Sequence, residues 1–261
     1  MLKSKLFIAA LAGVVQVNFL WANMLRVTLG AILILSVTMS RCSGEELGEP
    51  LRMPTVNKAF QVARGIDVPS LSGIHEAYAI ELAPNGQTIF TVNVSADRME
   101  AVFDVLSSEV SEPGFLLLEV GTHLSIEKTL RQSSSDPFHK DLYYLDGISH
   151  QQLLDILKLY GELLIHDGGV NFGYGGRVGV DEVFVGPYKV LYIYTGAAEK
   201  YEHALGKLGF QMEDSLKTVW DNFTSESPGR RNTVTVENKT IWNVIDELKD
   251  YGLYFAERRE D

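Results

Sequence analysis

Apolar residues are spaced in patterns that predict short strands and amphipathic helices from about residue 77 onward. Two apolar runs, 77–83 and 88–94, flank Asn85-Gly86, and Asn-Gly between apolar runs is a strong β-hairpin signal. Ser95 is then expected to cap a helix that reaches about residue 109, because apolar residues recur there at helical spacing.

Alternating strands and helices are predicted for the rest of the chain. In the first half these are strands over 115–120 and 141–146, a short helix over 124–132, and a long helix from a Ser149 cap to His166. In the second half they are a hairpin over 183–186 and 190–195, helices over 198–209, 215–223 and 240–251, and a strand over 233–237. Strands and helices mixed in this way favour an α+β fold.

The two halves also resemble each other residue by residue. A shift of 91 positions places the helix over 149–161 on the helix over 240–252, with identities at Asp155/Asp246, Leu157/Leu248, Lys158/Lys249, Tyr160/Tyr251 and Gly161/Gly252. A shared helical period makes unrelated amphipathic helices look alike, which is the alternative explanation. The same shift pairs two proline loops, which favours duplication. We therefore expect two diverged α+β units, 77–167 and 168–261, each a small sheet with helices packed on one face.

Residues 1–42 form an apolar leader that differs from everything after it. The chain has no Asp or Glu before Glu45, and the leader holds two apolar stretches, residues 6–22 and 27–39. Each is shorter than the roughly 20 apolar residues that span a bilayer as a helix. From Met24 onward, a basic start followed by an apolar run has the layout of a secretory signal peptide. Met24 is therefore a candidate start of the chain.

Cys42, the only cysteine, follows the second apolar run directly. This arrangement resembles a bacterial lipoprotein signal, in which the cysteine becomes the lipidated first residue, although Arg41 stands where a small residue is expected. Ordinary signal-peptide cleavage and one uncleaved membrane anchor are the alternatives. Residues 43–76, with three prolines, read as a tether. We expect an extracytoplasmic protein that is secreted or attached to a membrane through the leader.

Charge separates the leader from the body of the chain. The whole chain has 23 basic and 34 acidic residues, a net charge of -11. Four of the basic residues lie in the leader, so residues 43–261 hold 19 basic and 34 acidic groups, a net charge of -15. Such a surface repels phosphate backbones, so we expect no nucleic-acid partner. A single cysteine excludes a disulfide scaffold.

The stretch 166–182 is unusually rich in glycine, with six glycines between positions 168 and 179. A phosphate-binding loop needs its glycines between a strand and the start of a helix, whereas here a helix precedes them and a strand follows. The stretch is therefore either a mobile loop between the units or a strand with close backbone approach. The functional alternative is a binding loop that presents His166, Asp167, Asn171, Tyr174 and Arg177.

Candidate catalytic groups are few. His166 and Asp167 are the best acid–base pair, but a histidine at a helix C-terminus is already favoured by the helix dipole. With Asp181 they form the basis of an alternative function, a hydrolase whose site is assembled by the fold. The histidine spacing and the single cysteine give no metal site, and no cofactor motif is present. Catalytic residues stay unknown.

Tyr188, Tyr192 and Tyr194 fall on one face of a predicted hairpin. Rings on one face suit a contact surface with another protein, or else a sheet face covered by helices. The pattern as a whole favours a non-enzymatic protein-binding module with a protein partner. A hydrolase and a structural envelope protein are the alternatives.

Overall fold

The computed structural model describes residues 59–261, which adopt the predicted α+β class. The strands in this range are β1 (Ile66–Asp67), β2 (Ala77–Leu82), β3 (Thr88–Asn93), β4 (Gly114–Gly121), β5 (His139–Ile148), β6 (Val170–Gly176), β7 (Glu182–Val185), β8 (Leu191–Thr195), β9 (Arg230–Arg231) and β10 (Tyr254–Glu260). The helices are α1 (Met99–Ser107), α2 (Leu124–Leu130), α3 (His150–His166), α4 (Ala198–Lys207) and α5 (Ile241–Lys249), with 3-10 turns at Pro187–Lys189 and Val219–Asn222.

Eight strands form one antiparallel sheet in the order β10-β5-β4-β6-β7-β8-β3-β2. Strands from the two predicted units are neighbours within it, since β3 pairs with β8 and β4 pairs with β6. Residues 77–167 and 168–261 thus share a sheet instead of each closing its own. The duplication itself stays a prediction. Outside this sheet, β1 pairs with β9.

The main core lies between one face of the sheet and helices α1, α3, α4 and α5. Alternate strand residues such as Leu116, Phe172 and Ile193 point into it and are fully buried. Each helix buries an apolar stripe against them, for example through Phe103, whose ring centroid lies 5.0 Å from that of Phe172. The sheet therefore has one helix-covered face and a second face with different partners.

The best-predicted element is α3. The Ser149 side chain accepts a hydrogen bond from the Gln152 amide at 3.2 Å, and the Gln152 side chain accepts one from the Ser149 amide at 2.9 Å. This capping box fixes the helix start that the sequence indicates. Ser95, by contrast, is not a cap, because α1 begins only at Met99 and the Ser95 hydroxyl bonds to Asp97.

Two predicted elements are wrong, and the edge strand β10 has no counterpart among the predicted elements. The segment 215–223 is not an α-helix but contains the 3-10 turn Val219–Asn222, because Val219 anchors a loop cluster instead of a continuous helical stripe. The segment 233–237 is not a strand; the two-residue strand β9 ends just before it. Strand β6 occupies the glycine-rich stretch, and β10 forms one edge of the sheet.

The leader, the Met24 start, Cys42 and most of the tether lie outside the described residues. Among the helices that the structure describes, none combines the length and the apolar composition required to traverse a bilayer.

Candidate functional site

A second apolar cluster covers the face of the sheet opposite the helices. We call this the open face; its large side chains are Phe115, Leu117, Leu142, Tyr144, Phe184, Tyr192 and Tyr194. No helical residue belongs to the cluster within residues 59–261, and the tyrosines keep part of their surface exposed. The rings lie close enough to contact one another, with centroids 5.6 Å apart for Phe115 and Tyr144 and 6.5 Å apart for Tyr192 and Tyr194.

The glycines of β6 make this arrangement possible. A Cβ on Gly175 would lie 2.4 Å from the Phe115 ring, and one on Gly173 would lie 2.9 Å from the Phe184 ring. Rings from the strands on either side therefore lie across β6, where side chains would displace them. Of the two structural interpretations of 166–182, the mobile loop is wrong for residues 170–176, which form a central strand with close approach to its backbone.

Two glutamates interrupt the apolar cluster. Glu119 on β4 is buried and accepts hydrogen bonds from Lys140 Nζ at 3.3 Å and Asn171 Nδ2 at 3.2 Å. Glu182 on β7 lies opposite Tyr194 in the sheet and has no cationic side chain within 4 Å in the described part of the chain. Burial, with a smaller contribution from the Glu119 charge, raises the pKa of Glu182 to about 7. The open face therefore holds a carboxylate whose charge is poorly compensated.

A polar cleft of about 210 Å³ lies where the open face ends, between β4, α2 and the first residues of β5 and β6. Its wall includes three basic side chains, each beside a carboxylate. His139 Nδ1 is 3.2 Å from Glu127 Oε1, Lys140 Nζ is 3.3 Å from Glu119, and Arg231 Nη2 is 2.5 Å from Asp261. Glu119 belongs to both surfaces, so the cleft and the open face are continuous.

The predicted His166–Asp167 pair holds the chain turn after α3. The Arg64 amide donates to His166 Nδ1 at 3.2 Å, and burial lowers the pKa of the imidazole, with the Arg64 charge acting in the same direction. Asp167 is fully buried and accepts from the amides of Gly169 at 2.8 Å and Val234 at 3.1 Å. Burial raises the pKa of Asp167 above its ordinary value. Both side chains therefore have structural partners.

Asp181 and Arg177 lie beyond the other end of β6. Seven strand residues at about 3.3 Å each separate the ends of β6 by roughly 20 Å. Asp181 there accepts from Thr195 Oγ1 at 2.6 Å and pairs with Lys200 Nζ at 2.6 Å, while Arg177 is exposed. The three residues of the hydrolase alternative are thus not brought together.

Tyr174 and Asn171 point to opposite faces of β6. Tyr174 is buried on the helix side, where its hydroxyl donates to the Ile148 carbonyl at 3.1 Å. Asn171 lies in the polar cleft. Of the five residues proposed as a binding loop, only Asn171 joins the candidate site. One feature of the sequence does point to this site, because Glu119 is the single charged residue in the apolar run of β4.

Lys189 is also buried, and its burial lowers the pKa of the ammonium group to about 7. A buried lysine of this kind is a candidate for chemistry. Its Nζ donates to the carbonyls of Leu164 at 2.8 Å and Val170 at 2.5 Å, and the adjoining cavity measures only about 10 Å³. A cavity of this size holds at most one water molecule. Lys189 therefore serves to join the end of α3 to β6.

Within residues 59–261, no three His, Cys, Asp or Glu side chains are grouped so that they can hold a metal ion. No protein-family model matches the chain, and comparisons with curated proteins and with solved structures find no match either.

Proposed function

We propose that this chain is a non-enzymatic protein-binding module that docks a basic polypeptide segment on its open face. The observation that carries the proposal is the sheet face itself, which presents an aromatic cluster that no described α-helix covers; only Tyr192, at one end, packs against the 3-10 turn at Val219. Tyrosine supplies large contact area at low entropic cost and is enriched at protein interfaces. A face that served only as a core surface would need a second layer of helices or strands.

Charge favours a basic partner. Residues 43–261 have a net charge of -15, so a cationic partner is attracted at long range. Tyr194 has a carboxylate on each side of it in the sheet. Glu182 is its neighbour on β7, and Glu81 on β2 lies one residue further away on the other side, beyond Ile89. A lysine or arginine placed over this tyrosine meets carboxylates on both sides and an aromatic ring below.

We place this module outside the cytoplasm, secreted or held at a membrane by its leader. The support for this location is the sequence of residues 1–42, with its apolar runs and the candidate lipidation site at Cys42. An exported acidic module of this kind meets its protein partner outside the cell or in the envelope.

Selection of peptides from a random display library on the full-length chain tests the proposal. We expect selected peptides to be rich in Lys and Arg, and Tyr194→Ala to weaken their binding by more than about tenfold, as at interface hot spots. Tyr251→Ala is the matched control, because Tyr251 is 72% exposed at the end of α5 and lies off the open face. Glu81→Gln, at an exposed position, provides a second variant that leaves the apolar cluster intact.

Two results would overturn the proposal. One is selection of acidic or neutral peptides. The other is equal affinity of the Tyr194 and Tyr251 variants for the selected peptides, with both variants shown to be folded by circular dichroism.

A further inference from the structure

The polar cleft contains two buried oxygen atoms that accept no hydrogen bond from residues 59–261. These are Oδ1 of Asn171 and Oε2 of Glu127, in side chains of residues that are 4% and 5% exposed. Both residues form part of the cleft wall. Buried polar atoms are nearly always paired, and leaving one unpaired costs more than an ordinary hydrogen bond contributes. Two such atoms at one cavity indicate a ligand that supplies donors.

The basic groups of the cleft, in contrast, already have partners. His139, Lys140 and Arg231 each lie within 3.3 Å of a carboxylate. An anionic ligand would therefore compete with carboxylates that are already in place. Counting His139 as neutral, three carboxylates against two cations leave the wall with a net negative charge. The cleft therefore lacks hydrogen-bond donors, and a cation with N–H groups would supply them.

The size of the cleft limits this cation to a side chain or a small molecule. Its volume of about 210 Å³ exceeds that of a cavity of roughly 150 Å³ that holds benzene. Drug-sized ligands occupy larger pockets, of roughly 300 Å³ and above. A guanidinium or ammonium group on a short aliphatic stem fits between these limits.

We infer that the polar cleft binds a guanidinium or primary ammonium group, which donates to Asn171 Oδ1 and Glu127 Oε2. Both oxygens are themselves covered, so binding includes rotation of the Glu127 carboxylate about its soft terminal torsion. The group comes either from an arginine or lysine of the docked segment or from a free amine. Only the first source rests on the proposed function, since Glu119 joins the cleft to the open face.

A titration of the full-length ¹⁵N-labelled chain tests this inference, with ethylguanidinium chloride and n-butylammonium chloride as probes. We expect saturable amide shifts at Gly121, Gly169 and Asn171, with affinities in the millimolar range that such small ligands reach. Sodium acetate at the same ionic strength is expected to leave these amides unchanged. If ethylguanidinium displaces a selected basic peptide, a side chain of the docked segment is the source of the bound group. If the peptide stays bound, the docked segment does not occupy the cleft, and a free amine is the source.

Glu127→Gln is the sharpest variant. Glu127 Oε1 accepts from the His139 amide at 3.2 Å, so a glutamine that keeps this bond places its NH₂ where Oε2 lies. A donor then faces the donors of the ligand, and we expect binding to weaken about tenfold or more. Glu202→Gln, on the exposed side of α4, removes the same charge elsewhere and is expected to bind normally. Asn171→Ala provides a second loss of an acceptor if the glutamine variant fails to fold.

The inference is overturned if neither probe gives saturable shifts at these amides, if acetate binds there instead, or if folded Glu127→Gln and Glu202→Gln bind the probes equally. Its failure is distinct from failure of the proposed function. Tyr194→Ala removes peptide docking in our account but leaves the cleft able to bind ethylguanidinium.

Discussion

Glu182→Gln is expected to make the protein more stable at alkaline pH. Glu182 lies on the open face beside Tyr194 without a cationic partner in the described chain, and burial raises its pKa from 4.5 to about 7. Ionisation of this carboxylate is therefore opposed in the folded protein. A glutamine of the same shape has no charge to bury.

The size and the pH range of the effect follow from the pKa. The difference between 4.5 unfolded and about 7 folded corresponds to at most about 3 kcal/mol, at 1.36 kcal/mol per pKa unit. The folded state holds the proton more tightly, so the stabilisation by protonated Glu182 is complete below about pH 4.5. It is lost as the pH rises through about 7. The variant and the parent should have equal stability near pH 4.5 and differ most at pH 8.

Urea unfolding of both chains at several pH values between 4.5 and 8, followed by tryptophan fluorescence, measures this difference. Other titrating groups affect both chains alike and cancel in the comparison. Glu202→Gln serves as the control and should show no such pH dependence, because Glu202 is exposed. A difference between parent and Glu182→Gln that stays constant from pH 4.5 to 8 would refute the reasoning.

Three further substitutions test the packing. Gly175→Ala brings a Cβ to 2.4 Å from a phenylalanine ring and should lower the free energy of unfolding by roughly 2 kcal/mol, measured by thermal unfolding. Gly121→Ala, where a Cβ meets nothing within 4 Å, should change it by no more than about 0.5 kcal/mol. Equal losses for the two variants would contradict the account. Asp141→Asn disrupts a buried bidentate pair with an arginine and should cost about 3 kcal/mol in urea, against under 1 kcal/mol for the exposed Asp246→Asn. Tyr201→Phe removes a buried hydroxyl that has no hydrogen-bond partner in the described chain, so calorimetry should show no loss of stability.

Local signals in the sequence predicted local structure well. The cap at Ser149 and the apolar stripe after it located α3, and the Asn85-Gly86 pair located the β2–β3 hairpin. These elements depend on residues a few positions apart, which the sequence displays directly.

Long-range pairing was not accessible in the same way. The sequence shows two similar halves, which suggests pairing within each half, yet β3 pairs with β8 and β4 with β6. The segment 215–223 has helical spacing, but its apolar residues pack around Tyr188 in a loop, as the ring of Phe223 shows at 4.7 Å. Periodicity alone does not distinguish this loop, in which Val219 is buried, from a helix.

The candidate site was even less visible, because it depends on which strands are neighbours. Of the three tyrosines predicted to share a face, Tyr192 and Tyr194 do, whereas Tyr188 lies in the 3-10 turn Pro187–Lys189 and packs in a loop cluster. That Glu182 lies beside Tyr194, and that Glu119 joins Asn171 across β4 and β6, follows only from the sheet order. His166 and Asp167 are adjacent in sequence, which suggests an acid–base pair, but each instead accepts a hydrogen bond from a backbone amide.

Our central claim is that the open face binds a basic segment and that the Glu182 carboxylate, ionised above its raised pKa of about 7, contributes to this binding. The most direct measurement is the affinity of a selected basic peptide for the parent, Glu182→Gln and Glu202→Gln chains, by titration calorimetry at pH 8. The account predicts that Glu182→Gln binds about tenfold more weakly than the parent although it is more stable, and that Glu202→Gln binds like the parent. Equal affinities for all three chains would contradict it.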